Sequence, residues 1–193
     1  MSQEPVSRPR VEGEREREIL AAALEVLAEV GYDRLTMDAV AAAAKASKAT
    51  LYRRWSKATL VVDALKMTKT SHDEPADTGT LRGDLIANFC GMGSITDPQT
   101  LSVFTSVLTA IGRDPEFADA YRRDVLGPKI ESTRAIYARA QERGELRDDI
   151  DLDILAPALA GVLLHRYFVL GRPPSPEVVE RAIDHIILPA ALA

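Results

Sequence analysis

The sequence predicts an all-α fold with two parts, a three-helix N-terminal head and a larger helical bundle. Apolar residues recur at spacings of three and four, the period of a helix, and no stretch shows the alternation typical of a strand. Polar capping residues followed by proline, and single glycines, separate these segments as helix starts and stops do. With 193 residues and 46% hydrophobic content, the chain can bury a core in one or two domains.

The first helix is predicted to begin near Glu14 and to stop at Gly31. Residues 1–12 are polar and contain two prolines, so they are predicted to form a disordered N-terminal arm. An arm that reaches a DNA minor groove through Arg8 and Arg10 is the alternative. The apolar stripe of the helix consists of Ile19, Leu20, Ala23, Leu24, Leu27 and Val30.

Residues 36–57 predict two short helices separated by a tight turn. Thr36 can cap the first helix, and Leu35 and Val40 have the spacing of a hydrophobic staple. Alanines occupy most of the remaining positions and keep this helix thin enough for close packing.

The second of these helices has an apolar side and a polar side. Ser47 is its predicted N-cap, and Leu51 and Trp55, four positions apart, share the inward face. The residues around the rest of the helix are Lys48, Ala49, Thr50, Tyr52 and Arg53.

Positive charge is concentrated on this head. Between residues 34 and 57, six cations against the single anion Asp38 leave a local charge of +5, in a chain whose formal charge is −5. Such asymmetry suits a protein that sits on phosphate at one end only. A solvated helical face would explain the charge but not its concentration here, nor the position of Tyr52 among arginines. The head is therefore predicted to bind double-stranded DNA.

The run from Ser47 to Trp55, followed by Ser56-Lys57 and an apolar helix from Leu60, resembles the helix-turn-helix of TetR-family transcriptional regulators. The resemblance is strong over residues 15–65. It implies contacts with base edges from Lys48, Ala49, Thr50 and Arg53, and with phosphates from Thr36, Tyr52, Arg54 and Lys57.

Two departures from the family pattern lie in this region. Lys45 stands at a turn position that is usually glycine. Between Trp55 and Lys57 one residue, often proline, is missing, which could shift the register of Lys57 against the DNA backbone.

A helix is predicted from Leu60 to about Thr70, followed by a polar boundary at residues 71–79. The predicted domains are residues 13–72, the helix-turn-helix domain with its connecting helix, and residues 73–193, a helical ligand-binding and dimerisation domain. His72 with its two acidic neighbours is interpreted as part of a solvated connector, because no second His or Cys stands at metal-ligand spacing.

The second domain is predicted to be an all-α bundle of five or six helices. A capping residue before proline marks helix starts at Asp97, Asp114 and Ser175. The apolar stripes include Leu81, Leu85 and Phe89, then Leu101, Phe104, Leu108 and Ile111, then Ile130, Thr133, Tyr137 and Ala140.

The last two helices carry more apolar surface than one neighbour would cover. The TetR resemblance implies that they pair with their copies in a homodimer, and two-fold symmetry suits a DNA reader of this type. An ordinary buried hairpin in a monomer is the alternative. The predicted interface residues are Leu155, Leu159, Val162, Leu163, Val179, Ile183, Ile186 and Ile187.

An apolar cavity with a few polar groups is predicted in the second domain, for a small apolar or amphipathic effector. For His165 a satisfied core or interface histidine is an equal alternative, and aromatic residues at helical spacing are usually core. The predicted lining residues are Phe89, Phe104, Tyr121, Tyr137 and His165.

Other motifs point to no catalytic, metal or cofactor site. Gly91-Met92-Gly93 lacks a third glycine and follows a helix rather than a strand, which excludes a dinucleotide fingerprint. The alternating acids from Asp149 to Asp153 lack the glycine and the final glutamate of a calcium loop. The single Cys90 excludes an intramolecular disulfide, and beside Phe89 it is predicted to be a small buried hydrophobe.

The sequence thus predicts a cytoplasmic, homodimeric regulator that binds a palindromic operator and is released by an effector. A repressor is favoured over an activator. No apolar run approaches the roughly 18 residues of a membrane span, and the N-terminal residues lack the apolar core typical of a signal peptide. The alternatives are a small helical enzyme, for which no nucleophile and base pair is visible, and a helical adaptor, which would leave the cations of the head without a purpose.

Overall fold

The computed structural model describes residues 9–68, 75–90 and 98–192, with side chains for 13–68, 75–89 and 100–192. Over these ranges the secondary structure is helical apart from one bridge between Leu146 and Leu192, which confirms the predicted fold class. None of the helices in the described part of the chain is long and apolar enough to cross a membrane. The helices are α1 (Pro9–Arg34), α2 (Met37–Ala43), α3 (Lys48–Arg54), α4 (Lys57–Met67), α5 (Leu81–Cys90), α6 (Pro98–Ile111), α7 (Pro115–Tyr121), α8 (Gly127–Glu142), α9 (Leu152–Phe168), α10 (Pro176–Ala182) and α11 (Leu188–Ala191), with π-helical turns at Arg122–Leu126 and Ile183–Ile187.

The chain divides into two compact units. The first, here called the head unit, comprises Met1–Lys69 and Ser102–Val125, and the second, the body unit, comprises Thr70–Leu101 and Leu126–Ala193. Most of α6 and all of α7 therefore belong to the head unit. The predicted ranges, residues 13–72 and residues 73–193, place both helices in the second domain. Helical periodicity predicts that a residue such as Phe117 is buried, but it does not predict which of the two cores contains that residue.

Several predictions concern parts of the chain outside the described residues. They include Arg8, His72, the fragment Gly91-Met92-Gly93 and the cap at Asp97, together with the side chains of Arg10 and Cys90.

Helix α1 begins at Pro9, within the stretch predicted to be a disordered arm. Its regular part ends at Gly31, where φ is 76° and ψ is 165°, and one further helical turn follows to Arg34. Glycine tolerates this left-handed φ because it has no Cβ. The predicted stop at Gly31 is thus a kink inside a longer helical segment. Ile19 and Leu27 of the predicted stripe are buried in the head core.

The pair α2 and α3 forms as the local signals predict. The Thr36 hydroxyl accepts a hydrogen bond from the Ala39 amide at 3.1 Å, which confirms the predicted cap. Ser47 is the N-cap residue of α3 by position, but its side chain accepts no capping hydrogen bond. Between the helices, Lys45 has φ of 50°, the left-handed conformation that the usual glycine would adopt without strain.

Helix α4 begins at Lys57, three residues before the predicted start at Leu60. A capping box causes the early start: the Ser56 hydroxyl accepts from the Thr59 amide at 3.2 Å, and the Thr59 hydroxyl accepts from the Ser56 amide at 2.9 Å. The helix ends at Met67, where the prediction extended it to about Thr70.

Aromatic rings from α1 and α7 pack together in the head core. The Tyr32 and Phe117 ring centroids are 4.6 Å apart, and those of Phe117 and Tyr121 are 5.8 Å apart. The Tyr32 hydroxyl donates a hydrogen bond to Asp114 Oδ2 at 2.6 Å. Burial, followed by this hydrogen bond, raises the pKa of Tyr32 above its usual value. The end of α1 is therefore held to α7 and its N-cap residue by a tilted ring contact and by one hydrogen bond between side chains.

The body core is formed by one side each of α5, α8, α9 and α10. Its fully buried residues include Leu81, Leu85, Ile136, Tyr137, Leu159, Val179, Ile183 and Ile187.

A fully buried carboxylate, Asp84, lies beside this core on α5. It accepts hydrogen bonds from the Thr78 amide at 2.6 Å and the Thr78 hydroxyl at 2.8 Å, and it pairs with the Arg143 guanidinium at 3.1 Å. Arg139 also donates to the Ala76 carbonyl at 2.5 Å. Burial alone would raise the pKa of Asp84, but the Thr78 hydrogen bonds and Arg143 lower it below its usual value. This network fastens residues 75–80 to α5 and α8.

Candidate nucleic-acid interface

Helix α3 is fixed to the head by its apolar side. Leu51 is fully buried and Trp55 almost so, as the helical spacing predicts. The Trp55 indole donates a hydrogen bond to Asp63 Oδ2 of α4 at 3.0 Å. A buried indole usually needs such a partner, so this bond fixes the rotation of α3 about its axis. The opposite side of α3 is thereby held toward solvent.

The turn between α2 and α3 is held from α1. The Arg15 guanidinium donates to the Ala44 carbonyl at 2.9 Å and to the Lys45 carbonyl at 2.7 Å. The last carbonyls of a helix lack partners within the helix, and a cation suits the negative end of the helix dipole. Arg15 therefore stabilises the end of α2 and the strained residue that follows it.

The predicted DNA-contacting residues lie at the start of α2, along α3 and at the start of α4. Tyr52 is 60% exposed, although tyrosine side chains are usually at least partly buried. Six of the eight are exposed, and Thr50 and Lys57 are half-buried. The exposed ones are Thr36, Lys48, Ala49, Tyr52, Arg53 and Arg54.

A carboxylate on α2 joins two of these residues. The Lys48 ammonium lies 2.5 Å from Asp38 Oδ2, and the Tyr52 hydroxyl donates to Asp38 Oδ1 at 3.4 Å. The hydrogen bond to Asp38, and then its charge, raise the pKa of Lys48. The side chains of Lys48 and Asp38 are 65% and 49% exposed, so the pair sits on the surface that would meet DNA.

A second ion pair engages the end of α3. The Arg54 guanidinium pairs with Glu16 of α1 and lies 4.8 Å from the centroid of the Trp55 ring. By contrast, no acid in the described part of the chain lies within ion-pair distance of the exposed Arg53. Among the cations of α3, Arg53 therefore has its charge uncompensated by a neighbouring carboxylate.

Lys57 is directed toward the end of α1. Its ammonium lies 4.3 Å from the centroid of the Tyr32 ring and donates to the Asp33 carbonyl at 3.4 Å. As the first residue of α4, it stands beside a helix N-terminus. Its predicted phosphate contact requires the ammonium to leave the ring or to reach past it.

The five predicted effector-binding residues fall into different parts of the structure. Phe89 and Tyr137 belong to the body core, and burial raises the pKa of Tyr137 to about 12. Tyr121 is buried in the head core, and Phe104 lies half-buried on the part of α6 that belongs to the head unit. His165 is exposed on α9. Of these five residues, Phe89 and Tyr137 share the body core.

Six of the eight predicted interface residues are buried within the body's own core. They are Leu155, Leu159, Leu163, Val179, Ile183 and Ile187, which leave little or no surface for a partner. Val162 is half-buried, and Ile186 is 44% exposed. The apolar stripe that periodicity detects on each helix is thus the one that faces the body.

The outer side of the same helices carries a second stripe, which is apolar apart from one histidine. On α9 it contains Ile154, which is 71% exposed, then Pro157, Gly161, His165 and Phe168, at steps of three or four residues. A groove of about 190 Å³ runs between α9 and α10. Its lining residues are Val162, Arg166, Val178, Arg181, Ala182, His185 and Ile186.

Sequence reasoning did not assign functions to Arg15, Glu16 or Asp38. For Asp38 a signal was present, since it is the only acid in a cationic stretch. Arg15 and Glu16 stand about 30 and 38 positions before their partners, and no local pattern connects them.

Two family models match the chain. The model described as bacterial regulatory proteins, tetR family, matches residues 19–64. The model described as tetracyclin repressor-like, C-terminal domain, matches residues 75–186.

Curated proteins of similar sequence carry regulatory names. The DNA-binding transcriptional repressor TetR of Mycobacteroides abscessus is 38% identical over 176 residues, which is 90% of this chain and 92% of that protein. An HTH-type transcriptional regulator of Mycobacterium tuberculosis is 38% identical over 180 residues, 91% of this chain and 87% of that one. The HTH-type regulator YdeS of Bacillus subtilis is 30% identical over 165 residues, 85% and 83% of the two chains.

Solved structures of the same fold are also found. The TetR family transcription regulator SCO0332 is 29% identical, with a TM-score of 0.66 over 90% of this chain and 97% of that one. A transcriptional regulator from Saccharomonospora viridis in complex with choline has a TM-score of 0.68 over 91% and 98% of the two chains. Its 24% identity establishes likeness of fold alone.

Proposed function

Because this chain belongs to the TetR family of transcriptional regulators, we propose that it binds a palindromic operator through the outer side of α3 and is released from it by a small effector. The observation that carries this proposal is the arrangement of α3, which presents Lys48, Tyr52 and Arg53 to solvent while Leu51 and Trp55 hold it from behind. A reading helix needs this rigid support, because base contacts depend on fixed geometry.

We propose a division of labour along this surface. Residues on the N-terminal part of α3 enter the major groove, where each base pair presents its own pattern of donors and acceptors. Residues at the flanks contact phosphates, which fix register but carry no sequence information. The first set is Lys48, Ala49, Thr50 and Arg53, and the second is Thr36, Tyr52, Arg54 and Lys57.

Regulators of this family bind DNA and dimerise. For this chain we propose that the dimer forms through the outer sides of α9 and α10. Support comes from the exposed apolar stripe with Ile154 and Phe168, from the small residue Gly161 between them, and from exposed Ile186 on the neighbouring segment. Two copies of such a helix pair can bury these stripes against each other about a two-fold axis.

We propose repression rather than activation. A relative that is 38% identical over 90% of this chain bears the name of a DNA-binding transcriptional repressor. A bound repressor needs a release signal, and we assign that signal to a small apolar or amphipathic effector near Phe89 and Tyr137 in the body core. Phe104, Tyr121 and His165 stay predictions as effector contacts. The site of action is the cytoplasm, where chromosomal DNA lies.

Binding to DNA upstream of the chain's own gene tests the proposal. Fluorescence anisotropy compares that duplex with a scrambled duplex of the same composition, at several salt concentrations. We expect tighter binding to the upstream duplex, and affinity for both that falls steeply with salt. Failure of the protein to bind any duplex at low salt, while it remains folded, would contradict the proposed function.

A further inference from the structure

Asp38 is an anion placed where anions weaken binding to DNA. It is the only acid between residues 34 and 57, and it is exposed on the same surface as the cations of α3. A carboxylate near the phosphate backbone repels it at every DNA sequence. A surface built for affinity alone would not carry this charge.

Asp38 lies in the first turn of α2, where a carboxylate favours the helix dipole, but that position does not require its contacts with α3. The side chains of Asp38 and Lys48 are about half and two-thirds exposed, and solvent-exposed ion pairs contribute little to folding. What the contact does is restrict geometry. Asp38 directs one oxygen to the Lys48 ammonium at 2.5 Å and the other to the Tyr52 hydroxyl at 3.4 Å.

We propose that Asp38 is a specificity-determining positioning residue, which holds Lys48 for base contact and withholds its charge from the phosphates. The inference rests on the proposed function and deepens it. A lysine ammonium has three donors, and one directed at Asp38 leaves two, enough for O6 and N7 of one guanine. On other sequences the same ammonium stays largely neutralised by the carboxylate and adds little to non-specific affinity.

The chain offers a matched comparison in Glu16. This acid also pairs with a cation of α3, but its partner Arg54 is expected to contact phosphate. Both pairs hold a cation against a carboxylate on the exposed head. Removal of either charge frees one cation, and only the Asp38 pair is expected to affect base preference.

Two measurements separate positioning from charge. In Asp38→Asn, binding to a scrambled duplex should become tighter, and the slope of log affinity against log salt should steepen by about one unit per subunit. The preference for the selected sequence over the scrambled one should fall about five- to tenfold, with the loss concentrated at one symmetric pair of bases. Glu16→Gln should tighten binding to both duplexes by the same factor and leave the preference unchanged.

The probes are the duplex that the wild-type protein enriches from a randomised library, its single-base variants, and a scrambled duplex. Wild type, both single variants, Lys48→Ala and the double variant Asp38→Asn/Lys48→Ala are measured at several salt concentrations. Because Asp38 acts through Lys48, the change in base preference should be absent when Asp38→Asn is made in the Lys48→Ala background. Thermal melts establish that each variant is folded at the assay temperature.

The outcomes are distinct. If wild type enriches no sequence, the proposed function fails. If wild type enriches a sequence but Asp38→Asn leaves the preference and the salt slope unchanged, or acts equally in the Lys48→Ala background, the inference about Asp38 fails alone. Asp38→Glu retains the charge, so it should keep the low affinity for scrambled DNA. The Asp38→Glu variant therefore tests the inference even if Asp38→Asn does not fold. Tight binding of a folded Asp38→Glu protein to the scrambled duplex would also overturn the inference.

Discussion

Replacement of Lys45 by glycine should stabilise the protein. Lys45 has φ of 50° in the turn between α2 and α3, and it is the only residue other than glycine with a positive φ in the described ranges. Its side chain is exposed. Its amide donates to the Ala42 carbonyl at 3.1 Å, and its carbonyl accepts from Arg15 at 2.7 Å. Glycine preserves both backbone contacts and removes only the Cβ that makes this conformation unfavourable.

The expected gain follows from two opposing effects. The left-handed conformation costs an ordinary residue about 1–2 kcal/mol, and glycine avoids that cost. Glycine also gives the unfolded chain more conformational freedom, which destabilises the folded state by about 0.4–1 kcal/mol. The net stabilisation should be about 0.5–1 kcal/mol. For a protein of this size, that corresponds to a rise in melting temperature of roughly 1–4 °C.

Thermal and urea denaturation of wild type and Lys45→Gly measure this difference. Ala42→Gly is the control, because Ala42 is exposed in the regular part of α2, where glycine costs about 1 kcal/mol. The two substitutions should therefore have opposite signs although they lie three residues apart. If Lys45→Gly destabilised the protein as Ala42→Gly does, the left-handed conformation of Lys45 would not be strained.

Three further predictions concern other contacts. Asp84→Asn should lower the free energy of unfolding by roughly 2 kcal/mol in urea at neutral pH, because the fully buried side chain loses its charge-assisted hydrogen bonds with Thr78 and Arg143. Since folding lowers the pKa of Asp84, wild type should lose this stability as pH falls below about 4, and the variant should show a shallower loss. Ile186→Glu should yield a folded monomer by sedimentation, whereas Ile183→Glu should unfold the body by circular dichroism; a dimeric Ile186→Glu protein would contradict the proposed interface. Tyr32→Phe should cost about 1 kcal/mol in urea through its lost bond to Asp114, and an unchanged midpoint would count against that bond.

The sequence predicts features whose causes lie within a few residues. A capping residue before proline predicts the helix starts at Asp114 and Ser175, and a capping threonine with a hydrophobic staple predicts the start at Thr36. In each case the side chain accepts from an amide three positions later, as the prediction requires. Helix α4 begins before its predicted start at Leu60, because its capping box closes with Thr59 rather than with the more common Glu or Gln. Helix starts can thus be predicted from the sequence where the capping residues are the common ones.

Helical periodicity identifies the side of a helix that is buried, but it does not identify the part of the protein that covers that side. The apolar stripe and the TetR resemblance together predict that Val179 and Ile183 contact a partner subunit, yet both residues are fully buried in the body's own core. Phe117 lies within the predicted second domain, residues 73–193, but it packs on Tyr32 of the head unit. These choices depend on the three-dimensional path of the chain, which helical spacing does not encode.

The sequence predicts which residues form the candidate DNA-binding site, but not the contacts that these residues make with one another. Lys48 and Arg53 could be named because a cationic helix after a turn is visible in the sequence and resembles the family pattern. The compensation of Lys48 by Asp38, and the absence of a described acid beside Arg53, emerge only when the helices are packed.

The Arg54 pair with Glu16 has a consequence for attempts to retarget this protein. A designer who transplants residues 48–54 from another regulator replaces Arg54 and leaves Glu16 behind on α1. That orphaned carboxylate would then face the new DNA ligand without its cation. The portable module is therefore discontinuous in sequence, and a successful chimera should exchange the α1 position together with the helix that it serves.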